Sequence, residues 1–482
     1  MVTSIGSNMD AENVAENRRK FLGRSSQGLG TVALAAMLGP SVLNGADVGN
    51  SLGAASLPQK AKRVIWLSMA GGPSQFETFD YKPKLAKMSG QPMPESFTKG
   101  QQLAQLQGQQ LLCLGPQFPF SRFGKCQTEI STLFPCIGSV ADDICLIRSM
   151  TTEAINHDPA HMFMNTGSQI AGRPSMGAWV TYGLGSVAEN LPGFVVLVST
   201  GKGRSPQPIA ARQWSSGFLP SRHQGVQLRS HGDSVLYLGN PSGITRDQQD
   251  LDVRAINELN RFQNSQEYDP EIATRIAQYE MAFQMQASVP ELMDIRNEKT
   301  KTLELYGCQA GDGSFASNCL LARRLAERGV RFIQLYHRDW DHHSLLKQEL
   351  PLRAAEVDRA CAGLIHDLKD KGMLDDTLIV WTGEFGRTPM SQGDKGPIGR
   401  DHHNKSMSMW LAGAGVRGGQ VYGATDELGY AAVENVCTVH DLHATMLHQL
   451  GIQHDTFSVK FQGLDAKLTG VEHANVLHDI LV

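Results

Sequence analysis

Six short apolar runs punctuate this chain: residues 64–69, 144–147, 194–198, 330–336, 377–381 and 407–411. They are nearly continuous rather than alternating, the pattern of strands buried on both faces. Between them the rhythm turns helical. Leu320, Leu321 and Leu325 share a helix stopped by Gly329, and Leu352, Val357, Leu364 and Leu368 share another closed at Gly372. Residues 160–165 open a further helix, closed near Gly167. Thr438-Val439-His440-Asp441 reads as a capping box, opening a helix that runs to Leu450 and stops at Gly451. Helix and strand alternate from residue 315 onward. That predicts an α/β fold, a doubly wound and mainly parallel sheet with helices on both faces.

Two stretches break the pattern. Residues 90–119 are rich in Gln and Pro and read as an excursion with little regular structure. Between about 200 and 300, Ser, Gln, Arg and Gly dominate as far as Pro241. Ile272, Ile276, Tyr279 and Phe283 then recur at helical spacing, one apolar stripe. This region reads as a helical insertion or cap on a domain spanning 57–482. There is no internal repeat.

Composition adds limits. A hydrophobic content of 41% over 482 residues is ample for a large core. With 44 basic against 48 acidic residues the net charge is -4, which argues against a nucleic-acid partner. The first 56 residues read as a targeting segment and linker. Asn17-Arg18-Arg19-Lys20-Phe21-Leu22-Gly23 holds a twin-arginine pair, followed by an apolar, small-residue stretch at 28–38. That stretch falls far short of the roughly 20 residues needed to span a bilayer. It is similar to signals read by the twin-arginine export machinery, which predicts a periplasmic protein cleaved near Ala55. The plainer alternative is a basic amphipathic helix. None of the 8 cysteines forms a Cys-x-x-Cys pair, so a thiolate zinc site is not expected. Cys126 with Cys136, and Cys308 with Cys319, are close enough for disulfides in an oxidising compartment. Buried free thiols are the alternative, and Cys319 and Cys361 fit it best.

Three polar clusters carry the chemistry: Arg338-Asp339-Trp340-Asp341-His342-His343, Thr382-Gly383-Glu384-Phe385-Gly386-Arg387 and Gly399-Arg400-Asp401-His402-His403. Each offers carboxylate or imidazole, ligands for zinc or a similar divalent ion. Two directly follow strand-like runs, and open α/β sheets bind ligands at the carboxyl ends of their strands. Asp341 and His343 are two apart, so extended backbone points both side chains the same way. The competing reading is a solvated loop paired to Arg338. Glu384 sits between glycines that allow close backbone approach, and Arg387 adds a fork able to clamp an oxyanion. The competing reading is a tight turn whose Glu384 pairs with Arg387. His402 is the better ligand of its pair, Asp401 is a ligand or its orienter, and one of His402 and His403 faces solvent. His157 stands just before a helix, in a cluster that is ordinarily only a cap.

These stretches resemble the exported bacterial domain-of-unknown-function family 1501, within the alkaline phosphatase and sulfatase-like superfamily. The resemblance covers residues 64 to the C-terminus. It rests also on Ala70-Gly71-Gly72-Pro73-Ser74-Gln75, Thr78-Phe79-Asp80, Leu321-Ala322-Arg323-Arg324-Leu325, Gly383 through Pro389, and Tyr422-Gly423-Ala424-Thr425-Asp426. It implies a metal centre hydrolysing phosphate or sulfate esters. The superfamily's Asp after the first strand is replaced here by Ala70 or Gly71, so Asp80 or Glu77 becomes a candidate ligand. Its later Asp-His pair is similar to Glu384-Phe385, which keeps a carboxylate and loses an imidazole. Its nucleophile stands nine positions before the Thr of a helix-ending Thr-Gly, which falls on His157, a nucleophile or a metal ligand. The Cys-x-Pro-x-Arg sulfatase signature is missing from this stretch.

The reading is therefore a metal-dependent hydrolase of sulfate or phosphate esters, with a small-molecule or polysaccharide substrate and a divalent metal (Zn, Ca or Mg). Asp341, His343, Glu384, Asp401, His402 and Asp80 are its candidate ligands, with His157 and Arg387 as catalytic groups. A phosphodiesterase or phosphomutase on the same metals is a second enzyme reading. The rival from another class is a non-catalytic binding or assembly protein on a degenerate hydrolase fold. Oligomeric state is left open.

Overall fold

The computed structural model describes residues 54–482, apart from 102, 200–202, 204–206, 208, 231–242, 244, 268–269 and 394–397. The twin-arginine segment lies outside the described residues. No described helix is long and apolar enough to cross a membrane. The end of the expected linker belongs to the domain, because the amides of Ser56, Leu57, Lys60 and Ala61 bond the carbonyls of Gly451 and Gln449.

The apolar runs become a nine-stranded sheet. Its strands are β1 (Arg63–Met69), β2 (Ile144–Thr151), β3 (Phe194–Val198), β4 (Val226–Leu228), β5 (Phe332–His337), β6 (Thr377–Thr382), β7 (Met407–Ala412), β8 (Gln420–Tyr422) and β9 (Cys437–Thr438). The order is β8-β2-β7-β6-β1-β5-β3-β4, with β9 also on β2. Both pairings of β7 are antiparallel and all the others are parallel. The short strands β4, β8 and β9 show no apolar run in the sequence. They hold their places by pairing with a long neighbour.

Alternation along β1 divides the core. Ile65, Leu67 and Met69 face one layer, while Val64 and Trp66 face the other. The first layer is built on helices α5 (Phe315–Glu327) and α6 (Leu346–Asp370), through Leu320, Leu325, Val357 and Leu364. The second is built on α1 (His157–Thr166), α2 (Met176–Leu184) and α7 (Val439–Gln449). Both faces are therefore covered, as continuous apolar strands require.

Several expectations are corrected. Leu352 of the expected stripe is 54% exposed, because it lies on the face of α6 opposite the buried Leu350, Ala354 and Val357. The region 200–300 is not simply a cap. It supplies α3 (Arg246–Glu267) and α4 (Pro270–Met293), and the second half of α4 buries Ala282, Met285, Val289 and Leu292 in the α5–α6 layer. The side chains of Ile272, Ile276 and Tyr279 lie outside the described residues. The Gln-rich excursion packs a cluster of its own, with Met93, Leu106 and Cys113 buried against Phe76, Leu85 and Met390. All eight cysteines are free thiols, so neither suggested disulfide exists. Burial holds the Cys319 and Cys361 thiols far above their ordinary pKa.

Candidate metal centre

Chain segments flanking five strands meet at one end of the sheet. After β1 the backbone turns through Gly71 (φ 121°) and Gly72 (φ 68°), a region that favours glycine. The bare amides this exposes face Glu384, which follows β6. Gly71 N lies 2.9 and 3.1 Å from its two carboxylate oxygens, and Gly72 N lies 3.1 Å from Oε2. After β5 the chain bends at Asp339 (φ 71°) and presents Asp341 and His343. After β2 it enters α1, whose first residue is His157. Just before the antiparallel β7, the two-residue strand His402–His403 pairs with Gly386–Arg387. The carboxyl ends of parallel strands and the start of an antiparallel one thus converge.

Asp341 is the hub. Its Oδ1 lies 2.9 Å from His343 Nε2, 3.2 Å from His402 Nε2 and 2.6 Å from the Arg387 guanidinium. Its Oδ2 lies 3.2 Å from His157 Nε2. The other face of each ring fixes its tautomer. His402 Nδ1 donates to the Ile155 carbonyl at 2.8 Å, and His343 Nδ1 donates to Gln392 Oε1 at 2.5 Å. A ring whose proton sits on Nδ1 presents its Nε2 lone pair inward, and the two Nε2 atoms lie 2.9 Å apart. Lone pairs so close repel unless a cation lies between them. The donor atoms of His157, Asp341, His343 and His402 all lie within 4.8 Å of one another.

A second group adjoins it. His157 Nδ1 is 2.7 Å from Glu384 Oε1, and His161 Nε2 is 3.5 Å from the same oxygen. His157, His161 and Glu384 also fall within 4.8 Å. His157 Nε2 and His161 Nε2 are buried without a hydrogen bond, because their carboxylate neighbours are close but not aligned to accept. Orphaned buried imidazole nitrogens beside carboxylates fit divalent metal in both groups.

Charge follows the geometry. Burial works against a charge on His157, but the Asp341 and Glu384 carboxylates prevail and lift its pKa to about 9. Burial would raise Asp341, yet three imidazoles and Arg387 hold it far below the usual carboxylate range. Glu384 is pulled to about 2 against its burial by His161 and His157. Burial drives His402 down to about 4, which keeps it a neutral donor.

Asp341, His343, Glu384, His402 and His157 are thus brought together, Arg387 joins them through Asp341, and Asp401 and Asp80 do not. Asp401 is committed elsewhere: Oδ2 accepts from Gln105 N at 2.6 Å and Oδ1 from His402 N at 2.9 Å. Asp80 accepts from Thr425 Oγ1 at 2.5 Å and pairs with Lys82 at 3.2 Å. The alternative Glu77 is wholly buried in an ion pair with Arg400. Arg387 is 1% exposed in its side chain, and four of its five N–H donors go to Asp341 and the carbonyls of Gly71, Gly72 and Arg400. It positions Asp341 and leaves no fork for an oxyanion. Its ion pair is with Asp341 and not with Glu384. Nor does His402 or His403 face solvent: both are buried, and His403 Nε2 meets the Tyr430 carbonyl at 2.5 Å. His161 is the residue the sequence reading missed. Its position four after His157, on one helix face, was the available signal.

The class is an α/β protein with an imidazole–carboxylate centre at the carboxyl edge of its sheet. Residues 61–481 match the family described as Protein of unknown function (DUF1501), and the chain belongs to that family. No curated protein matches it. Among solved structures it is similar to the PsFucS1 sulfatase from Pseudoalteromonas sp., at 12% identity over 94% of this chain and 77% of that one, with a TM-score of 0.33. The lipoteichoic acid synthase LtaP from Listeria monocytogenes is 10% identical over 92% and 80%, with a TM-score of 0.34. A protein in the alkaline phosphatase superfamily from Vibrio parahaemolyticus is 8% identical over 89% and 77%, also at 0.34.

Proposed function

We propose that this chain is an exported, periplasmic, divalent-metal-dependent hydrolase of sulfate or phosphate esters, small or polysaccharide-borne. The observation that carries it is the convergence of imidazole lone pairs on Asp341, beside orphaned nitrogens of His157 and His161. Asp341, His343 and His402 would hold one metal, Glu384 and His161 a second, and His157 belongs to both groups of donors. The imidazole-rich set suits zinc or a similar transition metal better than magnesium or calcium, which take oxygen ligands. A metal bound there polarises the ester oxygen and lowers the pKa of an attacking water.

The protein residues define the rest. His157 Nδ1 pairs with Glu384, while Nε2 faces Asp341 with no aligned hydrogen bond, so Nε2 is the nitrogen that acts as a ligand. Attack is left to water. His343, His157 and Asp341 are the partly exposed members, with side chains 24%, 18% and 15% accessible, so substrate approaches from their side. The Gly71 and Gly72 amides fix Glu384, and Arg387 fixes Asp341.

The test is elemental analysis of the mature protein before and after chelation, with assays on aryl sulfates and phosphates. One or two equivalents of metal, lost together with activity and reduced in His343→Ala and His402→Ala, are expected. A folded protein without metal would replace this reading with the non-catalytic binding protein.

A further inference from the structure

The Gln-rich excursion, which the proposed chemistry does not use, reaches the metal centre through two glutamine side chains. Gln105 lies within it. Its backbone N–H donates to Asp401, which anchors the segment beside His402. Its side-chain Oε1 accepts from Gln392 Nε2 at 2.9 Å, and Gln392 Oε1 in turn meets His343 Nδ1 at 2.5 Å. We infer that Gln392, oriented by Gln105, is the positioning residue that sets the tautomer of His343 and turns its Nε2 toward Asp341 and His402.

The argument is one of donors and acceptors. A neutral imidazole carries one proton, so an acceptor at Nδ1 places it there and frees Nε2. A glutamine amide offers an acceptor at one end and a donor at the other. With Gln105 Oε1 accepting from Nε2, the Gln392 amide can only present Oε1 to His343. Nothing else described bonds His343 Nδ1, and the ring is partly exposed, so without Gln392 it can take either tautomer or rotate. Partners of ligand imidazoles of this kind alter metal affinity by roughly 10–100-fold. This also gives Asp401 its purpose, as the anchor of the segment that holds Gln105.

The inference rests on the metal reading of the same site, and the experiment separates the two. Zinc affinity is measured by competition with a chromophoric chelator for the whole mature chain and for Gln392→Met and Gln392→Glu. In parallel, long-range ¹⁵N–¹H spectra of the metal-free, histidine-labelled proteins report the His343 tautomer. The methionine variant is expected to lose roughly 10–100-fold in affinity and the Nδ1–H signature. The glutamate variant, an acceptor of the same shape, keeps both. Equal affinities and an unchanged tautomer in Gln392→Met overturn the inference, as does equal loss in both variants. If the wild-type chain binds no zinc, the metal reading fails, and the tautomer spectra still decide the role of Gln392.

Discussion

Gly71 works at the scale of a single residue. A Cβ there would lie 2.5 Å from Asp341 N and 2.7 Å from the Trp340 backbone, and the φ of 121° is strained for any side chain. Backbone cannot yield as a flexible side chain can. The same residue donates its amide N–H to Glu384, and its carbonyl accepts from Arg387. Gly71→Ala is therefore expected to cost about 1–3 kcal/mol of stability and to weaken metal binding at both groups. Urea melts and a zinc titration check this, and wild-type values in both would refute it. The Gly71-Gly72 pair is legible in the sequence as a turn. Its role as a double amide clamp is not, because Glu384 is more than three hundred positions away.

At the scale of elements, the start of α7 shows a local signal with a distant effect. The Thr438 side chain accepts from Asp441 N at 3.2 Å, and Asp441 Oδ2 accepts from Thr438 N at 2.8 Å, completing the capping box. The helix so started places His443 against the Met164 carbonyl at 2.8 Å, on α1, whose other end carries His157. Thr438→Ala is expected to lower stability by about 1 kcal/mol, measured as a shift in urea midpoint at unchanged slope. A variant unchanged in midpoint would show that packing alone holds the helix. The capping box was legible because it uses neighbours in sequence. The contact of α7 with α1 was not, since nothing in either helix names its partner.

The whole molecule buries several neutral imidazoles. Burial, helped by His440, pushes His443 to about 3, and burial with Arg222 does the same to His223. The unfolded chain protonates these rings near 6.5, so it binds more protons than the folded chain below that pH. Stability present above 6.5 is lost as pH falls toward 3, by about 1.4 kcal/mol per pH unit for each ring. His157 works in the opposite sense in the metal-free chain. Its folded pKa of about 9 gives stability that is full below 6.5 and lost as pH rises through 9. Melts of the chelated protein are expected to weaken between pH 7 and 5, with a flatter slope in His443→Gln. A slope unchanged by that substitution would refute the assignment.

By itself, the sequence determined the six long strands and their burial on two faces, the α7 cap and the strand-end positions of Asp341, His343 and Glu384. Those follow from periodicity and from backbone direction, which act over a few residues. Tertiary structure alone decided which acids and bases are free. Asp401, Asp80 and Arg387 are of the right type, but they are engaged by hydrogen bonds and ion pairs from other segments, while His161 and the orphaned nitrogen of His157 remain open. The reason is physical. Whether a polar group can take a metal depends on which hydrogen bonds it has already made, and those partners are brought by the fold from anywhere along the chain.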